Sequence, residues 1–185
     1  MNIPNLISLS RLFAVPIVVW LIISDIMLLA FWLCLIAALS DAVDGIIAKK
    51  FNAETELGAY LDPIADKALL VGVYVSLGYG GYLPSWLVIL VVFRDLVIIG
   101  GAVIYQTITM SLKMEPLMIS KVNTAAQLLL GVTVIGFNGY DFELDRYVLF
   151  ASYVVALTTI ASGTAYVLEW MGRVSNKAND EQDEL

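Results

Sequence analysis

The chain has 185 residues, 60% of them hydrophobic and 15% charged, with a mean hydropathy of +0.86. A water-soluble domain of this length cannot hide that much apolar surface, so the soluble globular classes are excluded and a polytopic membrane protein is expected. The net charge of −7 leans on Asp180, Glu181, Asp183 and Glu184 near the C-terminus, and the ten Lys and Arg form no basic stripe, so nucleic acid is not expected as a partner.

Met1 to Asn5 carry no basic n-region, cleavage site or Arg-rich transit pattern, so the first apolar stretch is expected to stay in the mature protein. Pro4 to Arg11 reads as a short amphipathic interfacial segment. Its Asn5, Ser8 and Arg11 are three apart on one helical face, and Arg11 either snorkels to headgroups or meets a phosphate. The apolar run to Ile23 is the first predicted span, and Ile26 to about Leu39 is the second. Cys34, the single cysteine, lies in that second run and has no partner for an internal disulfide. Lys49 to Glu56 reads as a solvated loop, Leu57 to Leu77 as the third span, and Gly78 to Pro84 as a tight turn. Ser85 to about Thr107 is the fourth span and contains Arg94 and Asp95. After the polar connection Thr109 to Ser120, Lys121 to about Phe137 is the fifth, Asn138 to Asp145 an acidic turn, and Tyr147 to Trp170 the sixth. Each run is close to the roughly 20 residues that cross a bilayer core. The fold expected is therefore an all-α membrane bundle of six transmembrane helices over residues 1–174, with 175–185 as an acidic disordered tail.

Six spans put both termini on one side. That side holds Arg11, Lys49, Lys50, Lys113, Lys121, Arg173 and Lys177, whereas Arg146 is the single basic residue of the other, beside Asp25, Asp141, Glu143 and Asp145. The excess of positive charge places the termini and the 49–56 loop in the cytoplasm (or the equivalent matrix compartment), and the bacterial inner membrane is the expected location.

Two carboxylate pairs flank the 49–56 loop. Asp41 and Asp44 are three apart and Asp62 and Asp66 four apart, so each pair shares a helical face. Four acids at the edge of a hydrocarbon layer need partners. The chain has no His and one Cys, which leaves hard divalent cations held by oxygen, Mg²⁺ or Mn²⁺. Two such ions between four carboxylates suit displacement at phosphorus. Gly45, Ala48 and Gly58 are small enough to let a ligand or a neighbouring helix approach, and Lys49 is placed to meet an anion. Salt bridges to Lys49, Lys50 and Lys67 would leave some of the acids uncompensated. A cation transporter using the same acids is the alternative from a different class, although the cluster lies at one membrane face and no span is broken near its middle.

The spacing Asp41-x2-Asp44-Gly45-x2-Ala48-Lys49-x8-Gly58-x3-Asp62-x3-Asp66 resembles the signature of the CDP-alcohol phosphatidyltransferases, departing from it at Lys49, where that family usually has Arg. Lys keeps the charge but loses the planar fork. The resemblance covers nearly the whole chain. It implies transfer of a phosphatidyl group from CDP-diacylglycerol to an alcohol with release of CMP, in a homodimer. Asp41, Asp44, Asp62 and Asp66 would hold the two divalent cations, and Asp66 would also be the general base. Gly45, Ala48, Lys49 and Gly58, with Asn5 and Ser8 of the N-terminal Pro-Asn-x-x-Ser, would bind the CDP-lipid.

For the acceptor, Arg94 and Lys121 suit an anion carrying a phosphate, with Lys67 at the end of the motif as a third candidate. Asn123 and Gln127 share a face with Lys121, and interhelical hydrogen bonding would equally account for them. The segments Leu61 to Leu70 and Ile119 to Leu128 resemble the CMP-forming cardiolipin synthases, which implies phosphatidylglycerol as acceptor and cardiolipin as product. Phosphatidylglycerophosphate synthases, which act on glycerol-3-phosphate, are the nearest alternative.

Overall fold

The computed structural model describes the backbone of residues 3–51, 56–109, 117–142 and 145–183, and the side chains of 9–40, 64–101, 117–142 and 146–170. Among the described residues there are six helices and no strand. They are α1 (Ile3–Ile23), α2 (Met27–Phe51), α3 (Glu56–Tyr79), α4 (Ser85–Thr109), α5 (Met118–Gly139) and α6 (Asp145–Asp183). The all-α expectation agrees with this, and most boundaries move outward.

The interfacial segment and the first span are one helix. α2 carries the second span through both motif acids to Phe51, where a loop was expected from Lys49. Ile46 to Lys50 contains no residue that stops a helix. α6 runs as a single helix of 39 residues to Asp183, so its backbone takes in the acidic segment that composition sets apart beyond residue 174.

Three reversals at one end of the bundle use left-handed backbone, at Asp25 (φ 61°), Gly81 (φ 79°) and Asp141 (φ 57°). Gly carries no side-chain penalty there, and a short acidic side chain tolerates the conformation. Two of these turns are tied together, because the Tyr82 hydroxyl donates to Asp25 Oδ1 at 2.6 Å. That hydrogen bond, with lesser contributions from burial and the Asp25 charge, holds the Tyr82 phenol above its usual pKa.

α1 packs on α2 and α3, α5 bridges α2 and α6, and α4 packs on α6 and α3. The shared core includes Val18 and Ile22 of α1, Cys34 of α2, Val73, Tyr74 and Leu77 of α3, Val91 of α4, and Val134 and Ile135 of α5. Gly72 lets α1 approach α3, since a Cβ there would lie 3.1 Å from Val19 and 3.2 Å from Val15. Gly139 does the same for α5 on α2, where a Cβ would stand 2.9 Å from the Leu28 nitrogen and 3.0 Å from its Cα. Backbone cannot step aside as a side-chain tip can. Gly139→Ala is therefore expected to cost about 1–3 kcal/mol through forced separation of the two helix ends. An unchanged unfolding midpoint in detergent would contradict this contact.

The distribution of polarity differs from that of a water-soluble protein. Phe13, Trp20, Ile89, Phe93, Leu129 and Phe150 are each at least 60% exposed, whereas Asn123, Gln127, Ser152, Thr159 and Ser162 are fully buried. Apolar surface outside and hydrogen-bonding groups inside suit a hydrocarbon solvent. Among the described residues, Met118–Gly139 and Arg146–Trp170 are long and apolar enough to cross a membrane, and Leu9–Ile23 and Met27–Ser40 are shorter apolar stretches.

Candidate functional site

α1 and α3 contact each other and, with one intervening helix, run in the same direction. Arg11 is the ninth residue of α1 and Asp66 the eleventh of α3. At 1.5 Å per residue both lie about 12–15 Å from their helix starts, at nearly one depth. They meet there: Arg11 donates from a guanidinium nitrogen to Asp66 Oδ1, with Arg11 buried and Asp66 half-exposed. Snorkelling of Arg11 is thus replaced by an ion pair inside the bundle, because α3 brings an acid to its level.

The pair stands in a cleft of about 100 Å³. Its walls are Ala37 and Ala38 of α2, Leu69 and Leu70 of α3, and Thr124 and Leu128 of α5. These walls are almost wholly apolar, so a ligand with hydrocarbon beside a charged group would match them.

The other motif acids follow from helix register. Asp41 lies three residues beyond Ala38 along α2, and Asp62 lies four residues before Asp66 along α3, in both cases toward the 52–55 connection. The backbones of Asn5, Ser8, Asp41, Asp44, Gly45, Ala48, Lys49, Gly58 and Asp62 are helical, and their side chains lie outside the described residues. Among the described residues no three His, Cys, Asp or Glu cluster as metal ligands. The donor set is chemically suited to a hard divalent ion, being carboxylate oxygen throughout. Its one described member, Asp66, holds the Arg11 guanidinium on Oδ1, so an ion there would share that carboxylate with Arg11.

The acceptor candidates divide. Lys67 Nζ donates to Asp95 Oδ1 at 2.7 Å, and Arg94 Nη1 donates to the same oxygen at 2.7 Å. Arg94 Nη2 reaches Ser120 Oγ of α5 at 2.6 Å and Ser162 Oγ of α6 at 2.5 Å. Arg94 is thus a buried brace across α4, α5 and α6, with Lys67 joining α3 to it. Lys121 is exposed. Ser162 and the hub role of Asp95 are not evident from the sequence. The signal available was an Arg-Asp pair inside an apolar run, which demands internal partners without naming them.

Asn123 and Gln127 serve interhelical hydrogen bonding. Thr158 Oγ1 donates to Asn123 Oδ1 at 2.8 Å, and Gln127 Nε2 donates to Thr159 Oγ1 at 3.1 Å. The Tyr74 hydroxyl donates to the Gln127 carbonyl at 2.9 Å, bringing α3 into the same seam.

The sequence profile described as CDP-alcohol phosphatidyltransferase matches residues 1–168. The chain is similar to the rice (Oryza sativa subsp. japonica) protein named CDP-diacylglycerol–glycerol-3-phosphate 3-phosphatidyltransferase 1, chloroplastic, at 34% identity over 92% of this chain and 57% of that protein. It is similar to the Homo sapiens cardiolipin synthase (CMP-forming) at 32% identity over 89% of this chain and 60% of that protein. A CDP-diacylglycerol–glycerol-3-phosphate 3-phosphatidyltransferase of Aquifex aeolicus (strain VF5) is 32% identical over 86% of this chain and 90% of its own length. The chain therefore spans about three fifths of the rice and human proteins and nearly all of the bacterial one.

Proposed function

This chain belongs to the CDP-alcohol phosphatidyltransferase family, and from that premise we propose that it transfers the phosphatidyl group of CDP-diacylglycerol to the free hydroxyl of phosphatidylglycerol, giving cardiolipin and CMP. The alcohol oxygen forms a bond to the lipid phosphorus as the anhydride bond to CMP breaks. Asp66 takes the hydroxyl proton, and Arg11, hydrogen-bonded to Asp66, fixes the direction from which it does so. A carboxylate is a weak base toward an alcohol, so the gain comes from positioning and from proton transfer late in the attack. Asp41, Asp44, Asp62 and Asp66 would hold the two divalent cations, Mg²⁺ or Mn²⁺, which supply charge neutralisation on the diphosphate and the leaving oxygen when bound. Asn5, Ser8, Gly45, Ala48, Lys49 and Gly58 would bind the nucleotide end of the donor.

The observation that favours a lipid acceptor is the cleft wall. Ala37, Ala38, Leu69, Leu70 and Leu128 line the space beside Asp66, and hydrocarbon fits them better than a free polyol phosphate does. Around Asp95, two cations face one carboxylate among the described residues, which suits an acceptor that still carries a phosphate. Lys121, exposed near the start of α5, is the group left to meet that charge, whereas Lys67 and Arg94 are engaged with Asp95. Glycerol-3-phosphate is the second reading, favoured by the activities for which the rice and Aquifex relatives are named. The proposal includes six membrane spans, both termini and the cleft mouth on the cytoplasmic side of the bacterial inner membrane, and a homodimer.

The test is CMP release by the purified protein from CDP-diacylglycerol with Mg²⁺ or Mn²⁺ and each alcohol in turn. Cardiolipin from phosphatidylglycerol is the expected product, and phosphatidylglycerophosphate from glycerol-3-phosphate would select the second reading. Chelation with EDTA is expected to lower turnover about a hundredfold or more, since the ions offset several kcal/mol of developing charge. Cation flux in sealed vesicles without any CMP would instead indicate a transporter.

A further inference from the structure

We infer that Asp95 is a positioning residue for this transfer: through Lys67 it fixes the rotation of α3 about its own axis, and so the aim of Asp66. The inference rests on the role given to Asp66 above. Asp66 and Lys67 are consecutive, so their side chains leave α3 about 100° apart. Each is tied to a different helix. Asp66 is held by Arg11 of α1, and Lys67 by Asp95 of α4. Two ion pairs pulling neighbouring residues in different directions oppose rotation in either sense, where either alone would act as a hinge.

Asp95 is suited to be the fixed end. Its side chain is 4% exposed, and one oxygen accepts from both Lys67 and Arg94 at 2.7 Å. Arg94 in turn is anchored by hydroxyls of α5 and α6, so the carboxylate is braced by three helices besides α3. Charged hydrogen bonds gain strength in such a low-dielectric setting. Lys67 has the opposite character, a long stem with its side chain 31% exposed. Without Asp95 its ammonium would turn out toward headgroups and the tie would be lost. A reacting group displaced by about 1 Å loses about a hundredfold in rate, which sets the effect to look for.

The experiment measures kcat and the KM for CDP-diacylglycerol and for phosphatidylglycerol in the purified full chain carrying Asp95→Asn, Lys67→Met, or both. Each single change is expected to lower kcat about a hundredfold while leaving both KM values within about threefold, and the double variant is expected to be no worse than either single one. Lys67→Arg, which keeps the charge, should retain turnover within about tenfold of the parent. Multiplying effects in the double variant would overturn the inference. So would a raised KM for phosphatidylglycerol with kcat preserved, which would make Lys67 an acceptor contact. If Asp95→Asn does not fold, Lys67→Met decides alone, because it leaves the Asp95–Arg94 pair intact. An unchanged kcat there overturns the role, and a fall in kcat at constant KM sustains it. Parent protein that releases no CMP with any acceptor removes the reaction and the role together, whereas active parent protein with additive variants removes the role only.

Discussion

Asp66→Asn is expected to lower CMP release by about a thousandfold or more while CDP-diacylglycerol still binds. The substitution keeps the size of the side chain but removes both its charge and its ability to take a proton. Loss of a positioned base alone accounts for about 10²–10⁴ in rate. The amide is also a poorer ligand for a hard cation, which adds to the loss. Arg11, buried, would lose the Asp66 charge. Binding of the donor, measured by equilibrium retention of labelled CDP-lipid in detergent, should persist because the residues proposed for the nucleotide end do not include Asp66. Turnover close to that of the parent would remove Asp66 from the role of base.

Arg94→Met carries the second large expectation, in stability rather than chemistry. Arg94 is 3% exposed and donates to Asp95, Ser120 and Ser162, so its removal strips contacts from three helices at once. Breaking a buried charged pair by deleting one member costs about 3–5 kcal/mol. Asp95 would keep Lys67, which places the expected loss near the lower end, about 3 kcal/mol. A thermal or denaturant unfolding series in detergent reads this directly. An acceptor-binding Arg94 would behave differently, with an intact unfolding midpoint and a raised KM for the alcohol, and that outcome would contradict the brace.

The helices were legible because long apolar runs are separated by short polar or Gly-containing connections. The family was legible for a related reason: the spacing from Asp41 to Asp66 resembles its signature, and the family match over residues 1–168 agrees. Helix ends were less so. Lys49 and Lys50 looked like loop residues by charge, yet nothing in Gly45 to Phe51 stops a helix, and α2 continues to Phe51. Contacts across helices were not legible at all. Arg11 and Asp66 are 55 residues apart, and Arg94 and Ser162 are 68 apart. Composition can say that a buried guanidinium needs acceptors, but only the packing of α1 on α3 and of α4 on α6 says which. Asn123 and Gln127 illustrate the same limit, since helical spacing allowed both an acceptor contact and a partner on α6, and Thr158 and Thr159 supply the latter.

The lone thiol of Cys34, 2% exposed among core side chains of α2, α3 and α5, has a use beyond packing. A maleimide meets it only when those helices come apart. The rate of its modification therefore counts excursions of the interior, in native membranes and without substrate.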